Sequence, residues 1–115
     1  MCAVSRIEKA IAKEHFLARV YTEGERAYLD LKGKGRAQSA AAMFAAKEAA
    51  AKALGTGIAQ GIAFAQIEVT HDALGAPGLV LSGAAEERLK AMGGRGAKLS
   101  LSHEGDMAIA FVILY

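Results

Sequence analysis

Apolar positions recur at two different intervals along this chain: three to four residues apart in the first half, two apart in the second. Ile7, Ala10 and Ile11 share one helical stripe, with Arg6, Lys9 and Lys13 at the other positions. Ser5 followed by Glu8 has the spacing of a capping box, so a helix is expected from about Arg6 to Phe16. Thr22 and Glu25 repeat that spacing and predict a second, shorter helix carrying Tyr28 and Leu31. Gly33-Lys34-Gly35-Arg36 reads as a basic loop. A long helix follows from about Ala37 to Leu54, alanine-rich on nearly every side. A helix without a wide polar face belongs at the centre of a fold, packed closely by its neighbours. Gly55 is its expected stop.

From Ile67 the period changes to two. Ile67, Val69 and His71 predict a strand, Asp72 to Gly78 a turn, and Leu79 to Leu81 a second strand. Ala84 to Met92 reads as a helix ended by Gly93 and Gly94. Lys98 to Ser102 and Met107 to Tyr115 predict two more strands, joined by a hairpin over His103 to Asp106. Helices mostly first and an antiparallel sheet mostly after make the class α+β, within one domain over residues 1–115.

Composition narrows the function. A chain that is 53% hydrophobic and 23% charged is globular. A net charge of +2 with no Trp argues against a dedicated nucleic-acid binder, which needs clustered basic residues with interleaved aromatics. The lone Cys2 can form no internal disulfide and fits a reducing compartment. No apolar run reaches the ~18 residues needed to span a bilayer, and the N-terminal residues lack a signal-peptide pattern. The expectation is a cytoplasmic protein that binds neither nucleic acid nor membrane.

Chemistry concentrates on the long helix. Glu48 and Lys52 are four apart and share a face, with Phe44 one turn earlier. A solvated ion pair is the plain reading of that spacing. The alternative is phosphate chemistry: a carboxylate suits Mg²⁺, and a lysine one turn away can neutralise a phosphate or protonate a leaving group. Gly55-Thr56-Gly57 at the helix end permits close backbone approach to a ligand, although the loop is no Walker A motif. A second candidate is Ser100-Leu101-Ser102-His103, where His103 opens a turn and can bind a phosphate. No nucleophile elbow accompanies it, which argues against a serine hydrolase. His15 and His71 lack partners at metal-ligand spacing, and zinc is not expected.

The run from Phe44 to Gly57, FAAKEAAAKALGTG, resembles the signature F-[AS]-x-K-E-A-x-x-K-A-[LF]-G-T-G of bacterial holo-acyl-carrier-protein synthases. Arg6-Ile7-Glu8, Thr22 to Leu29, Ile67-Glu68-Val69, Gly75-Ala76-Pro77 and Leu101-Ser102-His103 resemble the family's other pieces in the same order. The resemblance implies a phosphopantetheinyl transferase fold and Mg²⁺-dependent transfer of 4'-phosphopantetheine from coenzyme A to a serine of acyl carrier protein. The setting would be fatty acid biosynthesis in the cytoplasm. It further implies Glu48 as magnesium ligand and Lys52 as phosphate contact and acid toward 3',5'-ADP. Lys47, Ser102, His103 and the Gly55, Thr56, Gly57 loop would lie near coenzyme A, and Arg6, Lys9 and Lys13 would meet the acidic carrier protein. A homotrimer with sites between subunits is implied as well. The family opens with a strand ending in a second metal-binding Asp, and Met1 falls just beyond that Asp. Met43 stands where the family usually has Arg, and Phe64 where Trp is common. The alternative expectation is therefore a catalytically impaired relative that only binds coenzyme A or carrier protein.

Overall fold

The computed structural model describes every residue from Met1 to Tyr115. The chain runs β1 (Cys2–Ala3), α1 (Val4–Ile11), α2 (Glu14–Val20), α3 (Glu23–Asp30), a 3₁₀ turn (Gly33–Gly35), α4 (Arg36–Ala53), a second 3₁₀ turn (Phe64–Gln66), β2 (Ile67–His71), β3 (Pro77–Leu81), α5 (Gly83–Ala91), β4 (Ala97–Glu104) and β5 (Met107–Leu114). The α+β class stands. The strands form two antiparallel sheets, one of order β1-β5-β4 and the other a β2-β3 pair. No helix is long and apolar enough to cross a membrane.

The expected continuous first helix is two. Lys13 adopts an extended conformation between α1 and α2. The reason lies in the phase of the apolar stripe. Continuing from Ile7 and Ile11 at helical intervals would turn Glu14, His15 and Ala18 inward and leave Phe16 and Leu17 off the stripe. Breaking the helix at Lys13 resets the phase. Leu17 is then buried, and the Phe16 ring packs 6.0 Å from that of Phe44 and 6.2 Å from that of Tyr21. The Ser5–Glu8 box is also absent. Helix α1 follows directly from β1, and the Ser5 hydroxyl donates instead to the Asp106 carboxylate at 2.7 Å. β1 itself, unforeseen from the sequence, pairs Cys2 with Ala108 and Ala3 with Met107.

The β4–β5 hairpin is tighter than expected. β4 runs through Glu104, so only Gly105 and Asp106 make the turn, and His103 lies in the strand opposite Ala108. Gly105 takes φ +58°, which glycine adopts without steric cost. β3 begins two residues early, at Pro77, a first-strand position that tolerates a missing N–H.

Helix α4 is central, as its composition requires. Ala40, Ala41, Ala42, Met43, Ala45, Ala46, Ala50 and Ala51 are all buried, around the helix rather than along one stripe. Its end is a Schellman motif: the Thr56 N–H donates to Ala51 O at 3.4 Å and the Gly55 N–H to Lys52 O at 2.9 Å, with Gly55 at φ +82°.

Candidate active site

The sequence-predicted residues are distributed over α4 and two grooves. Glu48 is half-buried and lines a groove of about 340 Å³ between α1 and α4, together with Arg6, Cys2, Ile7, Phe16 and Phe44. Glu48 and Arg6 thus line the same groove. Lys9 and Lys13 are exposed and do not line that groove. Burial and the neighbouring Glu48 charge both raise the Cys2 thiol pKa. Lys52 is exposed one turn beyond Glu48, and the two do not pair with each other: the chain's two ion pairs are Arg26–Glu14 and Lys47–Glu25. The solvated-pair reading of the spacing therefore does not describe this helix. Past Lys52 comes the Gly55–Gly57 loop, with the Thr56 hydroxyl folded back onto Gly57 O at 2.8 Å.

Lys47 departs from expectation. It is fully buried, and its ammonium is 2.8 Å from Glu25 Oε1 while donating to Phe64 O at 2.9 Å and Ile67 O at 2.6 Å. Three donors meet three acceptors, so none is left for a coenzyme A phosphate, and the role implied for Lys47 by resemblance does not hold. Burial pushes its pKa down, and the Glu25 carboxylate opposes that shift. Glu25 is equally engaged. Its Oε1 also accepts the Thr22 N–H at 2.8 Å, closing the capping box read from the sequence, and Oε2 accepts the Val69 N–H at 2.7 Å. The pair fastens α3, α4 and β2 at one point beside Glu48.

His103 lies elsewhere. It lines a second groove of about 330 Å³ with Tyr28, Ser39, Met43, His71 and Pro77, and its Nε2 is 3.2 Å from Gln38 O. Ser102 is exposed and lines neither groove. The two grooves share no lining residue. Within one copy of the chain, the Glu48–Lys52 face and the His103 face are separate.

In the second groove the His71 ring stacks on Tyr28, with centroids 3.9 Å apart and planes within 3°, and the Lys32 ammonium sits 4.7 Å from the Tyr28 centroid. Burial first, then Lys32, lowers the His71 pKa below 6.5; Asp72 and Glu25 act in the opposite sense. The unfolded chain then binds the proton more readily than the folded one, so this contribution to stability is complete above pH 6.5 and lost as pH falls below it. Melting temperature against pH should decline less steeply for His71→Phe, which keeps a stacked ring without the titration. Superimposable profiles for the two proteins would contradict this account.

A model of the 4'-phosphopantetheinyl transferase superfamily matches residues 3–112. The chain belongs to this superfamily. It is 48% identical over 121 residues to the holo-[acyl-carrier-protein] synthase of Gluconobacter oxydans (strain 621H), covering 99% of this chain and 77% of that protein. Its fold matches the crystal structure of holo-[acyl-carrier-protein] synthase from Neisseria meningitidis with a TM-score of 0.87 at 35% identity, over 99% of this chain and 92% of that one. The Helicobacter pylori synthase in complex with coenzyme A matches with a TM-score of 0.83 at 31% identity, over 98% and 94% of the two chains. Membership in this transferase superfamily accords with the α4 signature.

Proposed function

We propose that this chain transfers 4'-phosphopantetheine from coenzyme A to a serine of apo-acyl carrier protein, releasing 3',5'-ADP. The observation that carries the reading is the pair Glu48 and Lys52: one turn apart on α4, not paired with each other, and followed by a loop of glycine backbone, in a chain of this superfamily. The Helicobacter pylori neighbour, solved in complex with coenzyme A, supports the same substrate.

The carrier serine gives up its hydroxyl proton with the help of Glu48, its oxygen forms a bond to the β-phosphorus, the one bearing pantetheine, and the bond from that phosphorus to the bridging oxygen breaks. Lys52 contacts the diphosphate and gives a proton to the departing 3',5'-ADP. Glu48 would hold Mg²⁺. The chain has no cluster of three His, Cys, Asp or Glu side chains able to hold a metal ion. One half-buried carboxylate opening to a groove does fit magnesium, which commonly takes one or two carboxylates with substrate phosphates and water completing its shell. When bound, the ion stabilises charge developing on the diphosphate oxygens. The Gly55–Gly57 loop lets the ligand approach the backbone, and Ser102 and His103 contact coenzyme A. Arg6 and Lys9 on α1, with Lys13 in the break that follows it, receive the acidic carrier. The reaction belongs to fatty acid biosynthesis in the cytoplasm.

The working form is a homotrimer with sites between subunits. The separation of the His103 groove from the Glu48 groove supports this, since one copy's His103 can then face another's α4. The outer face of β5 supports it too: Phe111 is 69% and Ile113 65% exposed, an apolar stripe of the kind that marks an interface. Phe111→Asp should therefore dissociate the assembly in sedimentation runs and reduce transfer with it. A wild-type chain that sediments as a monomer while transferring at full rate would argue against the shared site. The activity itself is tested by incubating the protein with Mg²⁺, coenzyme A and apo-carrier, then weighing the carrier by mass spectrometry. A gain of one phosphopantetheine is expected, and an unmodified carrier would defeat the reading. No observation favours a relative that only binds.

A further inference from the structure

We propose that Arg88 is a phosphate-binding residue of the same site, docked on the end of α4 and presenting a second cation, besides Lys52, at the Gly55–Gly57 loop. The inference rests on the placement of coenzyme A at Glu48, Lys52 and the Gly55–Gly57 loop. Arg88 lies in the last turn of α5, and its Nε donates to Leu54 O at 2.8 Å. Leu54 is the C-cap of α4, so this carbonyl is one of the four that a helix end leaves without an intrahelical donor. A cation there also meets the negative end of the helix dipole. The bond anchors the guanidinium but uses only one of its five N–H groups.

Where the rest of the fork sits makes Arg88 more than a cap. Its Nη2 would be 3.3 Å from a Cβ built on Gly55, so the guanidinium lies against the backbone of the loop proposed to receive the diphosphate. Gly55 is required for φ +82°, and a side chain there would also crowd the guanidinium. Arg88 is exposed and forms no ion pair, although Glu86 and Glu87 precede it on α5. A planar fork held at one edge, with its terminal nitrogens uncommitted, is suited to bidentate contact with a phosphate. Coenzyme A carries three phosphate groups, more negative charge than Lys52 alone can meet. Nothing local in the sequence marks Arg88, because its partner is 34 residues away on another helix.

The test is calorimetric binding of 3',5'-ADP to the full chain and to Arg88→Met and Arg88→Lys, across KCl from about 50 to 500 mM, with steady-state kinetics alongside. Arg88→Met should weaken 3',5'-ADP binding by roughly 10- to 100-fold, the equivalent of one or two charge-assisted hydrogen bonds. The deficit should narrow as salt rises. The KM for coenzyme A should rise by a similar factor with kcat within about twofold, the pattern of lost uniform binding. Arg88→Lys keeps a charge that a single nitrogen must carry and should recover part of the affinity. It also serves as the readable variant if Arg88→Met fails to fold. Binding of 3',5'-ADP by Arg88→Met at the wild-type level would overturn the proposal. So would a deficit that is the same at every salt concentration, which would leave Arg88 a cap alone. A wild-type chain that binds no 3',5'-ADP would overturn the underlying reading of the site instead, and Arg88 with it.

Discussion

Lys52→Ala should lower phosphopantetheine transfer by at least about 10²-fold while leaving the fold intact. General acids contribute roughly 10² to 10⁴ in rate, and Lys52 is proposed to supply both that proton and a contact to the diphosphate. Its exposure makes the experiment clean. The side chain makes no ion pair and lies outside the core, so its removal should alter stability by no more than about 0.5 kcal/mol. Lys52→Arg separates the two duties. Guanidinium keeps the cation but does not release a proton in the working pH range, so this variant should bind coenzyme A with near-normal KM and remain slow. Full turnover by Lys52→Arg would remove the acid role and leave an electrostatic one. Full turnover by Lys52→Ala would remove both.

Lys47→Met, five residues earlier on the same helix, should do the reverse and damage folding first. Removing one member of a buried ion pair typically costs about 3–5 kcal/mol, because the other charge is stranded. Here the loss also strands Phe64 O and Ile67 O, which Lys47 serves. Against a domain stability of about 5–15 kcal/mol, the variant should be largely unfolded well below the wild-type midpoint in urea. Glu25→Leu should be comparable, since it leaves Lys47 uncompensated and frees the Val69 N–H, otherwise held at 2.7 Å. A shift of less than about 1 kcal/mol in either variant would mean that the pair is not the fastening described.

The contrast between these two lysines shows what the sequence could and could not convey. Both stand in one alanine-rich run, and the spacing of Glu48, Lys52 and Gly55 was legible because it is a matter of helical geometry alone. The Thr22–Glu25 box was legible for the same reason, and the structure contains it. What Lys47 does was not legible. Its partner Glu25 lies 22 positions back, on another helix, and its backbone acceptors Phe64 and Ile67 follow 17 and 20 positions later. A burial that expensive is settled by tertiary contacts, and the only local hint was an alanine-rich neighbourhood without a wide polar face. The break at Lys13 was missed because it carries neither Gly nor Pro, although Phe16 and Leu17 falling off the Ile7–Ile11 stripe did signal it. Ser5 was misassigned because a capping box needs a free helix start, whereas here β1 runs straight into α1.

The alanines of α4 carry a mechanical implication. A methyl group has no torsion to adjust and no length to yield, so neighbouring elements stop against this rod almost at its backbone. Side chains elsewhere can rearrange to absorb a displacement, but α4 has little slack with which to do so. Enlarging Ala46 or Ala50, neither of which has measurable exposure, would push the whole rod sideways and carry Glu48 and Lys52 with it. Positions that never meet a reactant are thereby held to a size limit as strict as any imposed by the reaction.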